Sequence, residues 1–297
     1  VTTVEATGDI TAGGAVTFGG TLTGTLTTAG DIGTTDDNIT FTRAVTLTAA
    51  VDIDTTGAAA GNILFSSTID TAGFALALDA GTAGNITLAA ALTGGGAITI
   101  RNGAVQSYQA LTVGSLNIQN AATSVTFNEA IAATTTIDVN SGGTIVLTGN
   151  ITTATNVNFD AGTTINITGS IKNSGTVDID STGVTTIAAT VDIDSGGAVT
   201  FGATLTGTLT TAGDIVTTDD NITFTRAVTL TGAVSIDSNG GNVLMSSTVD
   251  GGNQALTITS SSGNITFDGS VGVKSDGRSE EHTSELQSHL NLVCRLL

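Results

Sequence analysis

The sequence predicts an all-β chain wound as a parallel, right-handed β-solenoid (a β-helix) with coils of about 20–24 residues. Three observations predict the solenoid: a β-branched composition without proline, a short strand phrase that recurs at about that spacing, and turn residues between the phrases. Of the 297 residues, 39% are apolar, supplied mostly by Ala, Val, Ile and Leu, with Thr frequent beside them. β-Branched side chains suit a pleated surface, where a stiff χ1 costs little, so no long helix is expected before residue 277. This apolar share is too high for a disordered chain, despite the low complexity. Proline would remove a ladder donor and is confined to sheet edges; the chain has none.

The recurrence has two scales. At the larger, residues 13–54 return as residues 196–237, offset by 183 and differing only at Gly20/Ala203, Gly33/Val216, Ala49/Gly232 and Asp52/Ser235. Such closeness points to duplication inside the gene. At the smaller, an apolar–polar–apolar phrase appears at Leu116–Ile118, Ile137–Val139, Val157–Phe159 and Val177–Ile179, in steps of 21, 20 and 20. The next, Val191–Ile193, follows after 14, which implies a short coil or a trimmed turn. A second phrase, Asn followed by apolar, any residue, apolar, starts at Asn38, Asn62, Asn85, Asn221, Asn242 and Asn264. Gly, Asn, Asp and Ser clusters punctuate these phrases as turns.

A repeat near 20 is too short for a propeller blade or a two-helix repeat, and the fixed Leu and Asn pattern of leucine-rich repeats is absent. Each coil should hold two or three strands of about four to six residues, with apolar side chains inward and Thr, Asp and Asn outward. Stacked coils bury the inner face that one coil cannot, so stability grows by nearest-neighbour terms. Residues 1–277, at about 21 per coil, give roughly 13 coils and a rod on the order of 60 Å long.

Formal net charge is −19, from 26 acidic and 7 basic residues. Before the tail the basic residues are Arg43, Arg101, Lys172, Arg226 and Lys274. Nucleic-acid binding needs many more cations, so no nucleic acid is expected as partner, and the acid excess reads as a device for solubility. No apolar run reaches the 18 or more residues of a membrane helix, so no membrane insertion by this segment is expected. The first residues already read as strand and turn, without a leader or Met, which is expected of a fragment cut from something longer.

The phrases GNILFSSTID, LALDAGTAGNITL, VDIDSGGAVTF and TLTGTLTTAGDI resemble the repeat regions of filamentous haemagglutinin-like exoproteins and other giant bacterial adhesins. The resemblance covers residues 1–277 and is compositional and periodic. It implies a right-handed β-helix at the bacterial cell surface, extracellular and associated with the outer membrane, acting as stalk or adhesive fibre. It also implies a partner on a host or neighbouring cell, or in extracellular matrix or polysaccharide.

Composition changes at Gly277. Arg278 to His289 reads RSEEHTSELQSH and resembles, codon by codon, an in-frame translation of a common sequencing-library adapter. Residues 278–297 are therefore read as a non-native tail. The alternative is a capping helix, because Leu286, Leu290, Val293 and Leu297 share one helical face. Setting the tail aside removes His282, His289 and Cys294 as ligands or nucleophiles, and leaves neither His nor Cys in the solenoid.

Nucleophilic triads and zinc sites are then excluded, and no enzyme is expected; no catalytic, cofactor or metal residue can be nominated. Three features still carry chemistry. The recurring Asp52, Asp54, Asp79, Asp138, Asp160, Asp178, Asp180, Asp192, Asp194 and Asp237 would stack in neighbouring coils. That arrangement gives either a solvated corner or a place for Ca²⁺, with Asn117 and Asn158 interrupting the column. Asn38, Asn85, Asn150, Asn166, Asn221 and Asn264 lie in Asn-x-Thr sequons. They read as glycan acceptors or, more simply, as turn residues tolerant of left-handed backbone whose amides stack between coils. Thr-x-Thr runs from Thr21 to Thr27 and at Thr46–Thr48 allow an ice-binding face, if threonines stay in register over five coils. A polysaccharide-active enzyme would instead gather three or more carboxylates in a cleft with Arg101 or Tyr108.

Overall fold

The computed structural model describes residues 1–19, 24–57, 61–153, 155–202, 207–272 and 292–295. The chain divides into two compact units, Val1–Thr153 and Ala154–Leu297. Each unit is a parallel β-solenoid, and no helix occurs among the described residues.

A coil carries three strands, one on each of three faces, named here within each unit by the aromatic side chains that one face buries. In the first unit the aromatic face begins with Val16–Phe18, Ile39–Phe41, Ile63–Phe65 and Ile86–Leu88. The second face begins with Thr2–Val4, Leu26–Thr28, Val45–Leu47 and Ile69–Asp70. The third begins with Ile10–Ala12, Ile32–Thr34, Val51–Asp54 and Leu76–Asp79. Two later strands, Ala97–Tyr108 and Ser115–Phe127, run through the third and aromatic faces without a break. In the second unit the aromatic face holds Val157–Ala161, Val177–Ser181, Val199–Phe201, Ile222–Phe224, Val243–Met245 and Ile265–Phe267.

Pairing between the coils of each unit is parallel and joins residues one coil apart, from the 18-residue step of Ile98 to Leu116 to the 25-residue step of Val51 to Leu76. Two expectations need correction. Most strands are three residues long, shorter than four to six, because a face needs only two inward apolar positions before the corner turns. The 14-residue step to Val191–Ile193 does not mark a short coil. Asp192–Ser195 lies on the face that precedes the aromatic one in the second unit, between Ile171–Asn173 and Asp214–Thr217, while the true successor of Val177–Ile179 is Val199–Phe201, 22 residues on.

Inward positions stack into apolar columns. On the aromatic face, Phe18, Phe41 and Phe65 stack with ring centroids 5.1 and 4.2 Å apart, and Phe201 stacks on Phe224 at 5.1 Å. The fully buried Phe41, Phe65, Phe201 and Phe224 each contribute about 1.5–3 kcal/mol through burial, and ring stacking adds to this.

The corners explain the Asn phrase. The Asn38 Oδ1 accepts the Asn62 backbone N–H at 2.8 Å, the Asn62 Oδ1 accepts that of Asn85 at 2.8 Å, and the Asn85 Oδ1 accepts that of Val105 at 3.1 Å. In the second unit Asn221, Asn242 and Asn264 repeat the ladder at 2.8 Å per step. A backbone donor left over where the chain leaves one face is thereby satisfied from the coil before it. Glycine precedes the ladder where coils touch: a Cβ on Gly61 would lie 2.1 Å from the Asp37 carbonyl oxygen, and one on Gly241 2.2 Å from that of Asp220. The stacking role of the amides holds, but the left-handed backbone does not fall on the ladder residues. It falls two places earlier, at Asp36 and Asp219, and at Asn239 and Asn253.

Leu292–Arg295, within the tail, forms a strand antiparallel to Ala255–Thr259. The capping-helix alternative therefore fails at Val293; Leu286, Leu290 and Leu297 lie outside the described residues, as do His282, His289 and Lys274.

Candidate functional site

The outward residue of each three-residue strand sets what a face presents. On the second face of the first unit, Thr3, Thr27 and Thr46 stand in register, and then Asp70 replaces threonine. In the second unit Thr186, Thr210 and Thr229 align between Asn166 and Asp250. Threonines thus spread over more coils than the clustered Thr-x-Thr runs suggest. Among the described residues, though, no uninterrupted outward run on these faces exceeds three coils, short of the five an ice-binding face requires. Thr21 and Thr23 lie outside the described residues.

Only some of the aspartates stack: Asp160 lies opposite Asp180, whereas Asp52 lies opposite Ala77, Asp178 between Asn158 and Thr200, and Asp237 opposite Thr259. Asp54 pairs in register with Asp79, and Asp79 with Asn102. Both Asp79 oxygens accept the Asn102 Nδ2 at 3.1 Å, and Oδ1 also accepts the Gly81 N–H. The Asp54 Oδ1 accepts the Thr56 N–H at 2.6 Å. Asp52 is held by Arg101 through two bonds, at 2.8 and 2.6 Å. That hydrogen bond raises the Arg101 pKa, with Asp79 and Asp54 adding to the field against some desolvation. Three carboxylates therefore surround Arg101, but each serves a turn, a ladder or the ion pair. Asn117 and Asn158 interrupt the column as expected, opposite Asp138 and Asp178. Among the described residues no group of three or more His, Cys, Asp or Glu is placed to hold a metal ion.

Tyr108 is absent from that cluster. It is fully buried, stacks on Phe127 at 5.5 Å, and donates its hydroxyl to the Gln106 Oε1 at 2.7 Å. Burial pushes its pKa well up. It is a core residue and offers no platform to a sugar.

The sequon asparagines Asn38, Asn85, Asn150, Asn166, Asn221 and Asn264 are all exposed. Four belong to the corner ladders; Asn166 projects from mid-strand on Ile165–Ile167.

Sequence reasoning missed one cluster. In the second unit Arg226 is buried, with its side chain 1% exposed. Its Nη2 donates to the Asp180 Oδ1 at 2.5 Å, and Asp180 is equally buried. Its Nη1 donates to Ser181 Oγ at 3.1 Å and Thr185 Oγ1 at 3.2 Å. Burial lowers the Arg226 pKa, opposed by Asp180. Room for the guanidinium comes from small neighbours. Ala161 and Ser181 occupy the same corner of earlier coils, and a Cβ on Gly202, whose φ is +83°, would lie 2.4 Å from the Arg226 Nε. Aligning coils by their aromatic-face strands would have placed Arg226 on this inward column.

Among the described residues no helix is long and apolar enough to cross a membrane. No family model matches the chain, and no curated protein or solved structure matches it.

Proposed function

We propose that this chain is a structural and adhesive repeat segment of a secreted bacterial surface fibre, serving as stalk or multivalent contact surface without catalysis. The observation that carries this reading is where the polar chemistry goes. The side chains of Asn38, Asn62, Asn85, Asn221 and Asn242, and those of Asp52, Asp54, Asp79 and Arg101, are bound to other coils or to turns, and Tyr108 is buried on Gln106 of its own strand. Outward positions are rich in Thr, with Lys172, Asp194 and Val216 among them, suited to weak contacts repeated along a surface. The partner is a host or neighbouring cell surface, matrix or polysaccharide, and the location is the bacterial exterior.

The test displays the chain on a non-adherent bacterium and counts cells retained under flow on epithelial cells and on polysaccharide-coated glass. Retention several-fold above an undecorated control is expected, together with no release of reducing ends from the same polysaccharides by purified chain. Reducing-end release abolished by Asp52→Asn or Asp79→Asn would replace this reading with the enzyme.

A further inference from the structure

We propose that the Arg226 corner of the second unit is an acid-tightened latch, in which Asp178 takes up a proton as pH falls and thereby strengthens the stacking of its coil. The geometry starts from an imbalance of charge. On the strand Val177–Ser181, Asp178 and Asp180 flank Ile179, and Asp160 stands opposite Asp180 one coil earlier. The following coil places Thr200 opposite Asp178, and the preceding coil places Asn158 there, so neither neighbour in register brings a cation. The cation at this corner is Arg226, and it is spent on Asp180. Asp178 and Asp180 thus share the field of one guanidinium, and Asp160 adds a third negative charge beside Asp178.

Asp178 is the member left short. Its Oδ1 is buried and has no hydrogen-bond partner among the described residues. A buried, unmatched carboxylate oxygen next to two like charges favours the protonated acid. Consistently, desolvation first, and then Asp180 and Asp160, raise the Asp178 pKa above its ordinary 3.8, against the pull of Arg226 and a hydrogen bond from the Ile179 backbone N–H. Between the ordinary aspartate value and the raised folded one, the folded state binds this proton more readily than the unfolded chain does. Its contribution to stability is fully present below the ordinary aspartate value and is lost as pH rises through the raised folded value. Acid strengthens this corner over that window, whereas most carboxylate pairs weaken.

The test is amide hydrogen exchange by mass spectrometry on the full chain, from about pH 7.5 to about pH 4.5, corrected for intrinsic exchange. Peptides covering 177–187 and 222–230 report the latch; peptides covering 39–54 are the internal control. Protection of the latch peptides is expected to rise several-fold on acidification while the control stays level. Asp178→Asn should hold high protection at every pH and flatten the dependence. Asp160→Asn should reduce it, and serves if the first variant misfolds. Latch protection that falls or stays constant with acid, or an unchanged pH dependence in the folded variants, overturns the proposal.

Discussion

Residues 13–54 and 196–237 are nearly the same sequence, and they build the same three faces in the same order, yet their arginines differ in environment. The strands Ile39–Phe41 and Val45–Leu47 of the first copy match Ile222–Phe224 and Val228–Leu230 of the second. Arg43, between the first two, is half-buried and donates its Nη1 to Thr2 Oγ1 at 2.9 Å. Among the described residues it has no ion pair. Arg226 makes the equivalent contact to Thr185, which stands 183 residues after Thr2, and adds Ser181 and Asp180. Among the described residues the threonine contact is common to both arginines, and the carboxylate contact is made by Arg226. The comparison teaches that a solenoid coil takes its backbone course from its own sequence, but the state of its side chains from the coils beneath.

The largest expected effect breaks the two copies apart. Arg226→Ala leaves Asp180 charged and buried without its partner, which costs about 3–5 kcal/mol. Arg43→Ala removes a single hydrogen bond from a half-buried site and costs at most about 1.5 kcal/mol. Urea unfolding, read by hydrogen exchange in peptides from each unit, measures both. Equal losses in the two variants would mean that the buried pair is not the feature that separates the copies.

A second variant asks whether the pair stabilises the coil or only specifies it. Arg226→Met combined with Asp180→Leu replaces the ion pair with apolar volume. Ser181 and Thr185 keep each other, at 2.9 Å, and Ser181 keeps the Gly183 carbonyl. The double variant should be neutral or more stable by about 1–4 kcal/mol, measured in the same way. A loss close to that of Arg226→Ala would show that the apolar pair cannot fill the corner.

These contrasts follow the line between what could and could not be read from residues. Parallel pairing one coil apart, the inward apolar columns and the stacking of Asn38 on Asn62 follow from local pattern, because period-2 alternation and repeat length constrain register strongly. The third strand of each coil was harder to see. Its phrases, such as Ile32–Thr34 and Asp192–Ser195, have the same apolar–x–apolar form as the others, so Val191–Ile193 passed for a misplaced member of another column. Arg226 was illegible for a different reason. Its burial depends on Asp180, Ser181 and Thr185, 41 to 46 residues away, and an identical Thr-Arg-Ala-Val-Thr-Leu phrase surrounds Arg43. No window on the phrase itself separates the two. The Arg101–Asp52 pair is likewise non-local, spanning 49 residues and reaching past the intervening coil.

The smallest expected effect tests the part of the comparison that should not differ. Asn38 and Asn221 occupy the same place in the two copies, and each accepts the backbone N–H of the next ladder asparagine at 2.8 Å. Replacement by alanine removes the acceptor and leaves that donor to water at an exposed corner. The cost is about 1 kcal/mol for each variant. Asn62 also donates its Nδ2 to Asn38 at 3.1 Å, but this exposed contact between neutral groups adds little. Exchange at the amides of Asn62 and Asn242 should accelerate to a similar degree in the matching variant, with the other copy untouched. A difference between the copies of more than about 1 kcal/mol would mean that the ladder, like the arginine, is controlled by coils beyond its nearest neighbour, contrary to nearest-neighbour stability.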